Sequence, residues 1–228
     1  MDFNVRNFWV ITIGGVDVWI TETIVNTWII MLILIVLAIV VRIKLNAFQD
    51  SPTGFQNIIE LIVESFESFV HNAVGPKLQW MGNWFFSVFI FVLVSNLSGV
   101  FGPRPPTADW ITPAALALVT FVLTHVLGVK YRGGQYLKGF IEPHPLFLPL
   151  NIMGELSKPI SLSFRLFGNL LAGVILMALV YGLFPLPLRF FIPMPLHAFF
   201  DIAMGVLQTY VFCILSLTFI STAALENE

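Results

Sequence analysis

The chain has 228 residues, 57% of them hydrophobic and only 11% charged, with a mean hydropathy of +0.90. Soluble domains carry about 25% charge and disorder needs the opposite bias, so both classes are excluded. A net charge of −2 excludes a basic nucleic-acid binder, and the single cysteine, Cys213, excludes intrachain disulfides and thiolate metal cages.

What remains is an integral membrane protein. Residues 1–22 form an outer N-terminal segment in which Gly14-Gly15 marks a turn. The first long apolar run starts too late and extends too far for a secretory signal. Nineteen uncharged residues separate Glu22 from Arg42, and the first span is placed at 23–44. From Gly54 to Ala73, Ile58, Ile59, Ile62, Phe66 and Phe69 recur at helical spacing, with Glu60, Glu64 and Glu67 on another side. This predicts an amphipathic surface helix over 54–75. Its acidic face suits either a partner protein or plain solvation. The 26 uncharged residues between Lys77 and Arg104 and the 20 between Asp109 and Lys130 predict a membrane hairpin, 82–101 and 110–130.

Two longer helices follow. Pro185 and Pro187 stop the fourth span near Gly182, so it must begin near Leu150, after Pro149. Residues 150–182 would measure about 50 Å against a hydrocarbon thickness of about 30 Å, so the helix must tilt, bend or protrude. Pro159 lies inside it as a candidate kink. The fifth span is placed at 195–222. The fold class is therefore all-α integral membrane, with five transmembrane helices and one amphipathic surface helix in a single membrane domain, the last two helices long and tilted. Arg42, Lys44, Lys77, Lys130, Arg132 and Lys138 gather on one side, against Arg6, Arg104 and Arg189 on the other. The excess of basic residues puts the N terminus outside and the C terminus in the cytoplasm.

The chemistry concentrates in the last pair. Arg165 lies near mid-helix, where a charge costs about 2.5–3.5 kcal/mol or more and marks an ion pathway by default. Lys158, Ser161, Arg165 and Asn169 form one polar stripe, and Glu155 lies three residues before Lys158, in reach of it. Gly168 and Ala172 form a small-residue strip that admits close helix approach. Asp201 and Gln208 share a face of the last helix. Counted from the turn at 183–194, Arg165 is 18 residues deep and Gln208 is 14, so they meet at similar depth. His71, His125, His144 and His197 have no metal-ligand spacing. No phosphate loop or nucleophile elbow appears, and neither a metal nor a cofactor is expected.

The run Ser157-Lys158-Pro159-Ile160-Ser161-Leu162-Ser163-Phe164-Arg165-Leu166-Phe167-Gly168-Asn169 closely resembles the signature of subunit a of F-type rotary ATP synthases, of bacterial type. Pro52 to Asn57, Ser95-Asn96-Leu97, Pro106 to Asp109, Phe200-Asp201 through Leu207-Gln208 and Ile20 to Thr23 agree with it. The resemblance implies a non-catalytic stator subunit in a bacterial plasma membrane, translocating H+ or Na+ beside a ring of c subunits. The ring, a subunit b peripheral stalk and membrane lipid are the implied partners, with no nucleic acid. It also implies that Arg165 faces the ring between two aqueous half-channels. Asn169 and Gln208 would orient it, while Ser161 and Lys158 share its stripe on the ion path. Asp201 would line the outer half-channel and Glu155 the inner one. Asp109 would cap the third span or stand at the outer entrance. Val174 and Ile111 stand where many relatives carry polar groups, which leaves the outer path poorer in them. A secondary transporter working alone and a purely structural scaffold are the rival readings.

Overall fold

A computed structural model of the chain describes residues 7–13, 16–45, 48, 54–102, 104–142, 144–185 and 191–225. Arg6, Pro52, Thr53, Pro187 and Arg189 lie outside the described residues. Seven helices are used below: α1 (Glu22–Lys44), α2 (Phe55–Val74), α3 (Gly82–Leu97), α4 (Ile111–Arg132), α5 (Gly134–Gly139), α6 (Leu148–Leu183) and α7 (Pro193–Leu225). Five helical stretches are long and apolar enough to cross a membrane: α1, Pro76–Phe101, α4, Pro145–Leu183 and α7. The expected segments are thus all present, with ends moved by a few residues.

Each end has a local cause. α6 begins at Leu148 because Pro149 is tolerated in a first turn, where its missing N–H would be unpaired in any case. It ends at Leu183, and Phe184 is extended (ψ 144°), as a residue before proline prefers. Pro159 lies within the helix without ending it. α2 ends at Gly75 and α4 at Gly133, both at positive φ (68° and 57°), where a side chain would strain the turn.

Two features depart from the expected all-helical plan. Asn7–Ile13 (β1) and Val16–Thr21 (β2) pair antiparallel, from Ile13 opposite Val16 to Asn7 opposite Thr21. The β-branched and aromatic content of both strands accounts for this, and the expected turn at Gly14-Gly15 lies outside the described residues. A hairpin alone is marginal, and this one runs directly into α1. The second departure is in α7, where Ala198–Ala203 forms a π-helical turn between α-helical Pro193–His197 and Met204–Leu225. α5, in the loop after α4, was also unforeseen. Its Tyr136 is buried against Gly128, and burial pushes the phenol up to about 12, so it stays neutral.

α7 is the spine of the bundle and packs against α2, α3, α4 and α6. Its buried residues fall three and four apart, and many are small: Gly205, Cys213, Ser216, Ala223 and Ala224. Small residues let helices approach closely where lipid provides no hydrophobic drive between them. One apolar cluster joins α2, α3, α4 and α7 around Phe66, Phe85, Leu127 and Leu217. The other joins α3, α4, α6 and α7 around Val92, Ala117, Leu166 and Phe212. Apart from Gln56 in the first turn, the buried residues of α2 lie in its C-terminal half, at Phe66, Val70 and Val74. Ile58 and Ile62 are exposed, and Glu64, Glu67 and His71 line an open hollow on the other side.

A buried polar lock fixes the height of α7. Asn96, fully buried at the end of α3, donates to the Gly205 carbonyl and the Thr209 hydroxyl, each at 3.1 Å. Its own carbonyl oxygen accepts from Thr107 at 2.7 Å. A Cβ on Gly205 would stand 3.3 Å from that of Asn96. Hydrogen bonds of this kind in membranes average about 0.6 kcal/mol each. Asn96→Ala should therefore cost about 2 kcal/mol in mixed-micelle denaturation; an unchanged midpoint would show that the lock carries no stability.

Candidate functional site

The site is built on α6 and α7, which lie antiparallel, with Asn169 against Gln208 and Tyr181 against His197. Arg165 falls at the midpoint of the 36-residue α6. Its side chain is exposed, and among the described residues no hydrogen bond or ion pair engages its guanidinium. Ser161, one turn before it, and Ala172, two turns after it, are exposed on the same side, with Gly168 half-buried between. The opposite side of α6 is buried at Leu162, Leu166, Leu170 and Gly173.

The predicted stripe is divided. Ser161 and Arg165 face outward, while Lys158 and Asn169 turn toward neighbours. Lys158 Nζ pairs with Glu155 at 2.5 Å and lies 5.5 Å from the Phe219 ring centre on α7. Asn169 Nδ2 donates to Gln208 Oε1 at 2.6 Å, which ties the two helices one turn from Arg165. The depth count set Gln208 level with Arg165; the contact it makes is with Asn169, four residues further along α6. Gln208 is buried, and its Nε2 has no partner among the described residues.

Toward the basic end of the bundle, Glu155 and Lys158 lie between two spaces. One is an open cavity of about 380 Å³ that also touches Arg132, Tyr136, Asn151 and Gly154. The other is a small gap of about 10 Å³, the room of roughly one water, against Thr120, Thr124 and Phe219. Glu155 Oε2 is buried without a hydrogen-bond partner among the described residues.

Toward the other end, Asp201 sits in the π turn and its carboxylate is 2.6 Å from His197 Nδ1. His197 Nε2 is 3.3 Å from the Tyr181 hydroxyl on α6. Neither His197 nor Tyr181 was a candidate from the sequence. The histidines were weighed only for metal spacing, and the four-residue interval from His197 to Asp201 was the available signal. Among the described residues no group of His, Cys, Asp and Glu is arranged to hold a metal ion.

Asp109 corrects another expectation. It does not cap α4 through its side chain. Its carboxylate pairs with Arg104 at 3.2 Å and accepts from Thr23 on α1, while Asn26 donates to the Arg104 carbonyl at 3.0 Å. With those partners, the carboxylate ties the α3–α4 loop to α1.

The family model described as ATP synthase A chain matches residues 24–221. The chain belongs to this family. It is 40% identical over 210 residues to ATP synthase subunit a 2 of a Bradyrhizobium species, covering 90% of this chain and 89% of that one. It is 37% identical to ATP synthase subunit a of Desulfosudis oleivorans, covering 88% and 86%. With ATP synthase subunit a of Moorella thermoacetica it shares 33% over 220 residues, or 96% of each. The family member described here is a multi-pass, all-α integral membrane protein.

The amide contact at the centre of the hairpin should behave as a coupled pair. Asn169→Ala and Gln208→Ala are expected to be non-additive in stability, the second change costing clearly less once the first is made. Simple addition in a double-mutant cycle would show that the 2.6 Å contact contributes nothing.

Proposed function

We propose that the chain is the ion-translocating stator subunit of an F-type ATP synthase, coupling ion flow to rotation of a ring of c subunits through Arg165. Family membership makes it a non-catalytic membrane subunit, and nucleotide chemistry belongs elsewhere in the complex. The observation that carries the reading is an exposed arginine, without a partner among the described residues, at the midpoint of a membrane-crossing helix. Such a charge needs a counter-charge from outside the chain, and an ionised carboxylate on each ring subunit would supply it.

The guanidinium stays protonated at any working pH. It attracts an empty, anionic ring site and disfavours a neutralised one. Ions must then travel around with the ring instead of crossing directly. One charge falling through 100 mV releases about 2.3 kcal/mol, so a shortcut past Arg165 would dissipate the gradient.

Asn169 and Gln208 hold the helix pair beside the arginine, and Ser161 leaves room on the ring side. The inner half-channel is assigned to the cavity at Glu155 and Lys158, and the outer one to the Asp201 side. The N terminus is assigned outside and the C terminus to the cytoplasm of a bacterial plasma membrane, because the basic residues cluster at the Glu155 end. Subunit b is assigned to the acidic face of α2, where Glu64 and Glu67 are exposed, and lipid to the outer faces of α1 and α2. H+ is the proposed ion, with Na+ as the alternative.

The test is ATP-driven ion uptake by vesicles holding the whole complex. Arg165→Ala should assemble and lose nearly all uptake. Native uptake by that variant would overturn the role.

A further inference from the structure

The seam between α4 and α6 offers a short route through the chain that does not involve the ring. Its basic end holds the small gap at Glu155 and Lys158, lined by Thr120 and Thr124 and reaching Ala117 and Leu162. Its other end begins at Asp109, which is 25% exposed beside its partner Arg104 at 28%. Trp110 stands between the two, seven residues or about 10 Å before Ala117 along α4. Pro113, Ala117, Leu162 and Leu166 are buried in this stretch. Over them the Trp110 indole stacks on the Phe164 ring, with 5.7 Å between centres and 29° between planes. The turn Pro106–Ala108, buried throughout, also packs on α6.

We propose that Trp110, stacked on Phe164, is a seal that keeps outer water out of the α4–α6 seam and so stops ions from passing between the half-channels inside this chain. The proposal rests on the stator reading above. Arg165 guards the surface that meets the ring, but it faces outward, away from buried Leu162 and Leu166. The seam is a second route and needs its own barrier.

A proton moves along waters or titratable groups. Trp110, Pro113, Ala117, Leu162 and Phe164 can neither take one up nor pass one on. A charge in such surroundings costs several kcal/mol at the least. That barrier lasts only while the stretch is dry. Replacing the indole by a methyl group would open space beside the Asp109–Arg104 pair, and a roomy space with polar partners takes in water. Water entering there has only the length of the apolar stretch to cross before it meets the gap at Thr120 and Glu155. Trp110 and Phe164 are 47% and 53% exposed, so the stack closes the rim of the seam while the smaller apolar residues fill its floor. The residue before Trp110 is held by the Thr23 hydroxyl on α1, which fixes one side of the stack.

The experiment measures passive H+ leak in vesicles holding the assembled complex, with the ring carboxylates blocked by a carbodiimide so that flow through the ring is excluded. The native complex should be tight. Trp110→Ala and Phe164→Ala should each raise the leak several-fold, and the double variant should leak little more than either. Trp110→Phe keeps a ring to stack and should stay close to native. In ATP-driven uptake by the unblocked complex, Trp110→Ala should lose more of the final gradient than of the initial rate, as a leak does and a loss of coupling does not. Native tightness in Trp110→Ala, or equal leaks in Trp110→Ala and Trp110→Phe, would overturn the proposal. Should Trp110→Ala fail to assemble, thiol reactivity decides. Pro113→Cys, combined with Cys213→Ala and with Trp110 in place, should resist silver ions added on either side. Reaction of that thiol would show a wet seam and overturn the proposal. If Arg165→Ala loses uptake while Trp110→Ala stays tight, only this inference falls. If Arg165→Ala pumps normally, the stator reading falls.

Discussion

A guanidinium at the middle of a membrane helix, with no counter-charge among the described residues, is the constraint on which the rest of the structure turns. Its cost in hydrocarbon is several kcal/mol at the least. Nothing among the described residues relieves it. Its nearest acid along α6, Glu155, is committed to Lys158, and Asp201 is committed to His197. Asp109 is engaged with Arg104 and Thr23. These three carboxylates are engaged within the chain, and Arg165 is left available to a partner.

The remaining architecture keeps that charge at a fixed height on a rigid surface. α7 is gripped on several sides, with small residues on its buried seam. Asn96 holds it through Gly205 and Thr209, and Asn169 bridges to Gln208 one residue earlier on the same helix. Asn96 and Gln208 thus fix one stretch of α7 from two directions, through α3 and through α6. A partner ring that must pass many times needs such a face, because a shifting arginine would lose register with the site it meets.

Most of the fold was legible because membrane helices announce themselves through missing charge. The charge-free runs located five spans, and the prolines near 149 and 185 bounded α6. What was not legible has physical reasons. The β hairpin was hidden because its strands are short and apolar on both faces, so alternation is weak, although Gly14-Gly15 had been read as a turn. The π turn has no residue signature. Lys158, Ser161, Arg165 and Asn169 do share a helical stripe, but side-chain direction depends on neighbours, and Glu155 and Phe219 draw Lys158 away from the arginine. His197 was passed over because its partner is an acid on the same helix, not a second metal ligand. Asp109 looked like a cap by position, yet Arg104 and Thr23 lay within reach of its carboxylate.

The central claim is that the exposed side of α6 around Arg165 is the surface that meets the ring. Disulfide trapping in the assembled complex tests it directly, with a cysteine placed beside the ring carboxylate and another on this chain. Ser161→Cys and Ala172→Cys, both exposed on the Arg165 side, should form the cross-link on oxidation. Leu37→Cys, exposed on α1, should not. Cross-linking from Leu37→Cys together with none from Ser161→Cys or Ala172→Cys would contradict the account.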